Sequence, residues 1–168
     1  MSLPASAASL PDGLTRRPAT DSDRELLYQL YASTRADEMA VVPWSELEKS
    51  VFLRQQFQSQ HTYYHQTWPH ATYDIVELHG EPIGRIYVDV RPDELGLMEI
   101  TLLPEHRGKG LGTALIQQVL AQAASQGLGV GLFVEPQNPA QRLYARLGFG
   151  FVEDHTMYHY LRRPAPRV

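Results

Sequence analysis

Leu102-Leu103-Pro104-Glu105-His106-Arg107-Gly108-Lys109-Gly110-Leu111-Gly112 is the stretch on which the reading of this chain turns. The run Gly96 to Leu103 has the composition of a strand, and Pro104 ends it. Leu111, Leu115, Val119 and Ala123 recur at helical spacing, so a helix is expected from about Gly108 to Gln126, where Gly127 stops it. Glycines at 108, 110 and 112 let the backbone turn with positive φ and approach a ligand closely. The first N–H groups of a helix have no partner within it and stand at the positive end of its dipole. Arg107 and Lys109 add local positive charge. Such a turn is an anion site suited to a pyrophosphate, or else a plain glycine-rich connection. Two phosphate motifs fail on spacing. A P-loop needs Lys and then Ser or Thr after its second glycine, where Gly110-Leu111-Gly112 stands. A dinucleotide fingerprint needs a third glycine where Leu115 stands.

Composition bounds what the turn can serve. A chain of 168 residues makes one domain, able to bury roughly 70% of the surface its unfolded form exposes. The absence of Cys removes thiol nucleophiles, redox pairs and Cys-ligated zinc. Fifteen basic against nineteen acidic residues give a net charge of −4, the wrong sign for a nucleic-acid partner. No apolar window is long enough for a membrane span. Of the seven His, His61 and His65 lie one helical turn apart without a carboxylate motif beside them, so no metal is expected. Met1 to Gly13 is rich in Ala, Ser and Pro and lacks the basic start and apolar run of a signal peptide. A flexible tail over 1–13, a single domain over 14–168 and a cytoplasmic location are the expectations.

Punctuation and periodicity divide the rest. Leu14 to Arg17 reads as a strand ended by Pro18, and Thr20 as the N-cap of a helix with Leu26, Leu27, Leu30 and Tyr31 on one face. Ser45 with Glu48 is a capping box for a second helix running to about Tyr64, with Leu47, Val51 and Phe57 near one face. Ala71 to Leu78 and Pro82 to Val90 form a hairpin about His79-Gly80-Glu81, and a charged turn over Arg91 to Glu94 leads into the third strand. Val130 to Val134 is a short buried strand. Asn138 as N-cap and Pro139 as first residue open a compact helix that Gly148 closes, before strands at Phe149 to Val152 and Thr156 to Leu161. The order β-α-α-β-β-β-α-β-α-β-β is that of a mixed α/β domain.

The segment Asn138-Pro139-Ala140-Gln141-Arg142-Leu143-Tyr144-Ala145-Arg146-Leu147-Gly148-Phe149 follows the buried strand about thirty residues after the glycine turn. The pair, in this order, closely resembles the acetyl-CoA-binding half of the GNAT superfamily of N-acyltransferases. The likeness covers about Glu99 to Phe149 in motifs and almost the whole chain from Leu14 in element order. It implies an α/β fold whose central, mostly antiparallel mixed sheet is flanked by helices, with central strands splayed into an acetyl-CoA cleft. It implies that Arg107, Gly108, Lys109, Gly110, Leu111 and Gly112 hold the pyrophosphate, helped by Thr113. Backbone groups of Leu102 and Leu103 would bond the pantetheine and polarise the thioester carbonyl, Asn138 would hold the pantetheine through its amide, and Tyr144 would face the sulfur. The partners implied are acetyl-CoA and an amine substrate, with a possible homodimer through the C-terminal strands.

The chemistry follows from the groups. An amine attacking a thioester must lose a proton, and the thiolate must gain one or a strong hydrogen bond. A phenol is protonated at neutral pH, so Tyr144 can donate, or it merely packs under Phe149. Glu99, in the otherwise apolar Leu97 to Leu102, is the candidate base; equally, it faces solvent or pairs with Arg85 on the neighbouring strand. Trp44, Tyr63, Tyr64, His65, Trp68 and Tyr87, with Glu46, Glu77 or Asp89 nearby, line an acceptor pocket or serve as core and dimer contacts. With no Cys, and no Ser paired with a base, direct transfer in a ternary complex is expected from an N-acetyltransferase. The rival readings are an inactive acyl-CoA-binding sensor and a nucleotide-binding domain.

Overall fold

The computed structural model describes residues 9–167. A seven-stranded sheet with the order β1-β2-β3-β4-β5-β7-β6 carries the fold. Its strands are β1 (Leu14–Pro18), β2 (Thr72–Leu78), β3 (Glu81–Val90), β4 (Glu94–Leu102), β5 (Gly129–Val134), β6 (Gly150–Asp154) and β7 (His159–Arg163). Neighbours pair antiparallel except β4 and β5, which are parallel. The helices are α1 (Arg24–Thr34), α2 (Ala36–Ala40), α3 (Glu46–Thr67), α4 (Leu111–Ser125) and α5 (Ala140–Arg146). The mixed α/β class and the mostly antiparallel sheet agree with the sequence reading, and α2 is the added helix.

Two cores lie against the sheet. Leu115, Ile116, Val119, Leu120 and Ala123 of α4 pack with Leu95, Leu97, Val130, Leu132, Tyr144 and Phe149. Leu27, Tyr28, Leu30 and Tyr31 of α1 pack with Leu53 and Phe57 of α3 and with Ile75 and Tyr87. The capping box of α3 is present, with Glu48 N donating to Ser45 Oγ at 3.1 Å and Ser45 N to Glu48 Oε1 at 3.3 Å. The expected face of α3 is corrected in part: Phe57 is buried as expected, Leu47 and Val51 are exposed, and Leu53 is the second anchor.

Other departures have local causes. α4 begins at Leu111, not Gly108, because Gly108 and Gly110 adopt φ of 73° and 81°, outside the helical region. The turn over Arg91 to Glu94 is present, Arg91 N donating to Glu94 O at 3.0 Å, and Glu94 also opens β4, buried, where Arg91, Tyr160 and Arg162 hold its carboxylate. Asn138 caps α5 from one residue further out than expected, its Oδ1 accepting from Ala140 N at 2.9 Å. The final strands start later, and Thr156, at φ 71°, lies in the turn between them. Of the tail expected over 1–13, residues 1–8 lie outside the described residues. Leu10 packs against the first core, and Leu14 N donates to Pro11 O at 3.0 Å.

Candidate active site

The two central strands part company midway. β4 and β5 pair from Glu94 with Gly129 only as far as Leu97 with Leu132, while β4 runs on to Leu102. The cause lies in the ladder with β3. Tyr87 opposes Glu99 and Val88 opposes Leu97, so Met98 is an extra residue, and such a bulge bends its strand. Beyond it, β4 swings away from β5 and opens a cleft.

Backbone parity decides which groups face that cleft. Leu103 N donates to Ile83 O at 2.8 Å, so in an antiparallel ladder Leu102 and Ile100 turn their N–H and C=O groups to the other side. Leu103 O in turn accepts from His106 N at 2.9 Å, so both main-chain groups of Leu103 are engaged within the protein. Arg107 reaches back along the cleft edge, Nε donating to Leu102 O at 2.9 Å and Nη2 to Ser33 Oγ at 2.8 Å. Arg35, at the junction of α1 and α2, meets Glu135 just past β5 at 3.5 Å.

At the start of α4 the first intrahelical bond is Ala114 N to Gly110 O, 3.1 Å. The N–H groups of Gly108, Lys109, Gly110, Leu111, Gly112 and Thr113 find no acceptor among the described residues. A Cβ at Gly108, Gly110 or Gly112 would meet nothing within 4 Å, so the turn is open to whatever approaches. Free N–H groups at the positive end of a helix dipole are the chemistry that an anion site requires. Asn138 is exposed, and with Oδ1 used as the cap its NH₂ makes no bond among the described residues. Tyr144, 8% exposed, packs edge-on to Phe149 at 5.7 Å. Its pKa is pushed up to about 12, mainly by burial and then by the charge of Glu99, so the phenol keeps its proton.

Glu99 is where the second half of the site gathers. The Tyr64 hydroxyl donates to its Oε1 at 2.7 Å, Gln60 Nε2 lies 3.5 Å from the same oxygen, and Arg85 Nη2 stands 3.7 Å from Oε2. Of the two readings open for Glu99, the contact with Arg85 is present, and about a quarter of the side chain remains exposed (24%). Burial first, and then Glu99, push the Tyr64 phenol well above the usual tyrosine range. His61 is lowered to about 4, mostly by burial and then by His65, and burial lowers His65 as well; both are neutral at neutral pH.

The expected aromatic set divides. Tyr63, Tyr64, Trp68 and Tyr87 form a connected belt with ring separations of 5.6 to 6.2 Å, and His65 stacks on Tyr73 at 4.0 Å. Trp44 stands apart, against Phe52. The acidic neighbours are elsewhere: Glu46 is in solvent, Glu77 pairs with Arg17 at 3.3 Å and Asp89 with Arg91 at 3.0 Å. Gln60 escaped the sequence reading, although its place one turn before Tyr64 puts the two on one face of α3. Among the described residues no three His, Cys, Asp or Glu side chains gather to hold a metal ion, and no helix is long and apolar enough to cross a membrane.

The sequence profile of the acetyltransferase (GNAT) family matches residues 31–149, well over half of the chain. The chain belongs to this family. A mycothiol acetyltransferase from Nocardiopsis dassonvillei is 38% identical over 90 residues, which are 52% of this chain and 24% of that protein. An L-2,4-diaminobutyric acid acetyltransferase from Nocardia farcinica is 33% identical over 70 residues, 39% of this chain and 36% of its own length. The chain thus spans only a quarter to about a third of these curated relatives. The GNAT fold is shared with a PaiA N-acetyltransferase from Thermoplasma acidophilum solved with coenzyme A, at a TM-score of 0.68 and 17% identity over 90% of this chain and 98% of that one. The ribosomal-protein-S18-alanine N-acetyltransferase from Escherichia coli aligns at a TM-score of 0.63 and 18% identity, over 92% and 96%.

Proposed function

We propose that this GNAT protein transfers an acetyl group from acetyl-CoA to a primary amine by direct attack in a ternary complex. The observation that carries the reading is the unbroken run of unpaired N–H groups from Gly108 to Thr113 beside the cleft between β4 and β5. A diphosphate fits such a donor set, and Arg107 and Lys109 add the charge that steers it there. Leu102 N–H, with Ile100 beside it, is aimed where a thioester carbonyl lying along β4 would develop negative charge. Of the two residues assigned to this part on the sequence, Leu103, with both main-chain groups engaged, contributes its position, and Leu102 does the polarising. The Asn138 amide would steady the pantetheine arm. The Tyr144 phenol, protonated and buried, gives the departing thiolate its hydrogen bond, and Glu99 accepts the proton the amine loses. The family bond with an L-2,4-diaminobutyric acid acetyltransferase supports an amine acceptor. A homodimer through the C-terminal strands belongs to the same reading, supported by β6, an edge strand with Phe151 and Val152 in solvent. So does a cytoplasmic location.

A panel of amines assayed for coenzyme A release tests the reading, and the chain has no thiol of its own to interfere. The expected result is release that depends on both acetyl-CoA and an amine. Coenzyme A that raises the melting temperature while no amine supports release would make the chain a sensor instead. A shift with ATP or NAD and none with coenzyme A would make it a nucleotide binder.

A further inference from the structure

Phe133 is out of place in a central strand. The other five residues of β5 are buried, yet this side chain is 53% exposed. Leu132 and Val134 on either side of it point into the core under α4, so Phe133 points to the opposite face of the sheet, where α1 and α3 lie. It is the first residue of β5 past the last pair with β4, Leu97 with Leu132. On the other lip of the cleft Glu99 faces α3 as well, where it accepts from Tyr64. Nor is Phe133 a stray apolar residue: its ring lies 5.0 Å from Tyr160 and 5.3 Å from His155, and Tyr158, in the same turn as His155, is exposed too. The Tyr160 hydroxyl donates to Glu94, so Tyr160 offers its ring and not its oxygen. The carboxylates of the flanking segments, Glu94, Glu135 and Glu153, are in contact with Arg162, Arg35 and His155. A run of exposed rings beside a cleft, with these acids engaged, suits an apolar body better than a second positive charge.

We infer that Phe133 determines which amine the cleft accepts: it forms the β5 wall of an acceptor site whose α3 wall is Tyr64, and the site takes primary amines carried on an aromatic body. The inference rests on the proposed transfer of an acetyl group to an amine and names its substrate class. A nitrogen attacking a thioester held along β4 lies inside the cleft, and the rest of the acceptor projects from it on the α3 face, between the two walls. Tyr158 stands near enough to Tyr64 to bear on its phenol, so both walls are within reach of one small ligand. A flat ring placed between them packs edge-on or offset against theirs, which an aliphatic chain of the same length does less well.

The test compares kcat/KM for coenzyme A release with 2-phenylethylamine, ethanolamine and L-2,4-diaminobutyrate in the wild type, F133A and F133L. The wild type is expected to favour 2-phenylethylamine about tenfold or more. F133A should lower kcat/KM for that amine about 20-fold, chiefly through KM, with ethanolamine within about twofold of the wild type. F133L, apolar but without a flat face, should fall between, and it serves alone if F133A does not fold. No preference for the aromatic amine, or an equal loss for all three amines in F133A, overturns the inference while acetyl transfer stands. Unaltered kinetics overturn it too, and a changed sedimentation coefficient alongside them makes Phe133 a subunit contact. Absence of release with every amine defeats the transfer reading instead, and the inference is then decided by binding. With coenzyme A present, 2-phenylethylamine must shift the ring and amide signals of Phe133 and ethanolamine must not; equal or absent shifts overturn it.

Discussion

The two sides of the cleft are built from different materials. On the side of the glycine turn the proposed binding groups are main-chain N–H groups, delivered by one continuous segment from Leu102 to Thr113. On the Glu99 side they are side chains, brought together from α3, β3 and β4 across gaps of tens of residues. A backbone site tolerates changes of side chain and fails when its geometry or local charge is altered. A side-chain site fails group by group, and the size of each loss reports what the group did.

The sharpest way to break that contrast is G112D. Gly112 lies within α4 at an ordinary φ, with open space where a Cβ would stand, and an aspartate in a first helical turn favours the helix. Folding should be unharmed, while the carboxylate takes the donors proposed for the diphosphate. Calorimetry should show coenzyme A affinity falling about 100-fold, roughly 2.7 kcal/mol, with an undiminished melting temperature. Equal affinity in G112D would move the coenzyme away from the turn.

Next in size is Y144F, which should lower kcat about 100-fold, the low end of what a positioned acid contributes, and leave coenzyme affinity nearly unchanged. Loss of affinity with retained turnover would reduce Tyr144 to packing against Phe149. Y64F should cost about 5-fold in kcat/KM, on the scale of one hydrogen bond to a charged group of which part is replaced by water, again without effect on coenzyme binding. The same variant with the melting temperature lowered and kinetics intact would make Tyr64 structural.

The contrast also explains what could be read in the sequence. Glycine spacing after a strand betrays a backbone site because the requirement for positive φ, here at Gly108 and Gly110, selects the residue type locally. The capping box of Ser45 and Glu48 was legible because it too is a local pattern, whereas Thr20 heads a 3-10 turn, Asp21–Asp23, that precedes α1. That both main-chain groups of Leu103 are engaged could not be read, because it depends in part on Ile83, twenty residues away, and strand parity is set by pairing rather than composition. Met98 gave no sign of being the bulge that opens the cleft. Gln60 and the grip of Tyr64 on Glu99 become visible only when α3 is laid across the sheet. Of the buried face of α3, Phe57 was legible and Leu53 was not, because few apolar residues of this long polar helix reach the core, Leu53 and Phe57 fully and Tyr64 in part.

The smallest expected effect separates scaffold from site. Asp23, buried at the start of α1, accepts two hydrogen bonds at 2.8 Å from Arg17, chiefly for which reason its pKa is lowered to about 2. A carboxyl depressed on folding stabilises above its unfolded pKa, and the contribution is lost as pH falls from about 4 towards 2. With Arg17 partly in solvent, D23N should cost about 1 kcal/mol at neutral pH and flatten the acid limb of stability across that window, with turnover unchanged. Urea unfolding at neutral and acid pH measures both; an unaltered slope would mean that the pair is inert.

The most direct test of the backbone side is the ¹H–¹⁵N spectrum of the chain titrated with coenzyme A. The account predicts that the amides of Gly108 to Thr113 shift most, with Leu102 and Ile100 following and Leu103 nearly still. Large shifts elsewhere, with those six amides unmoved at saturation, would contradict it.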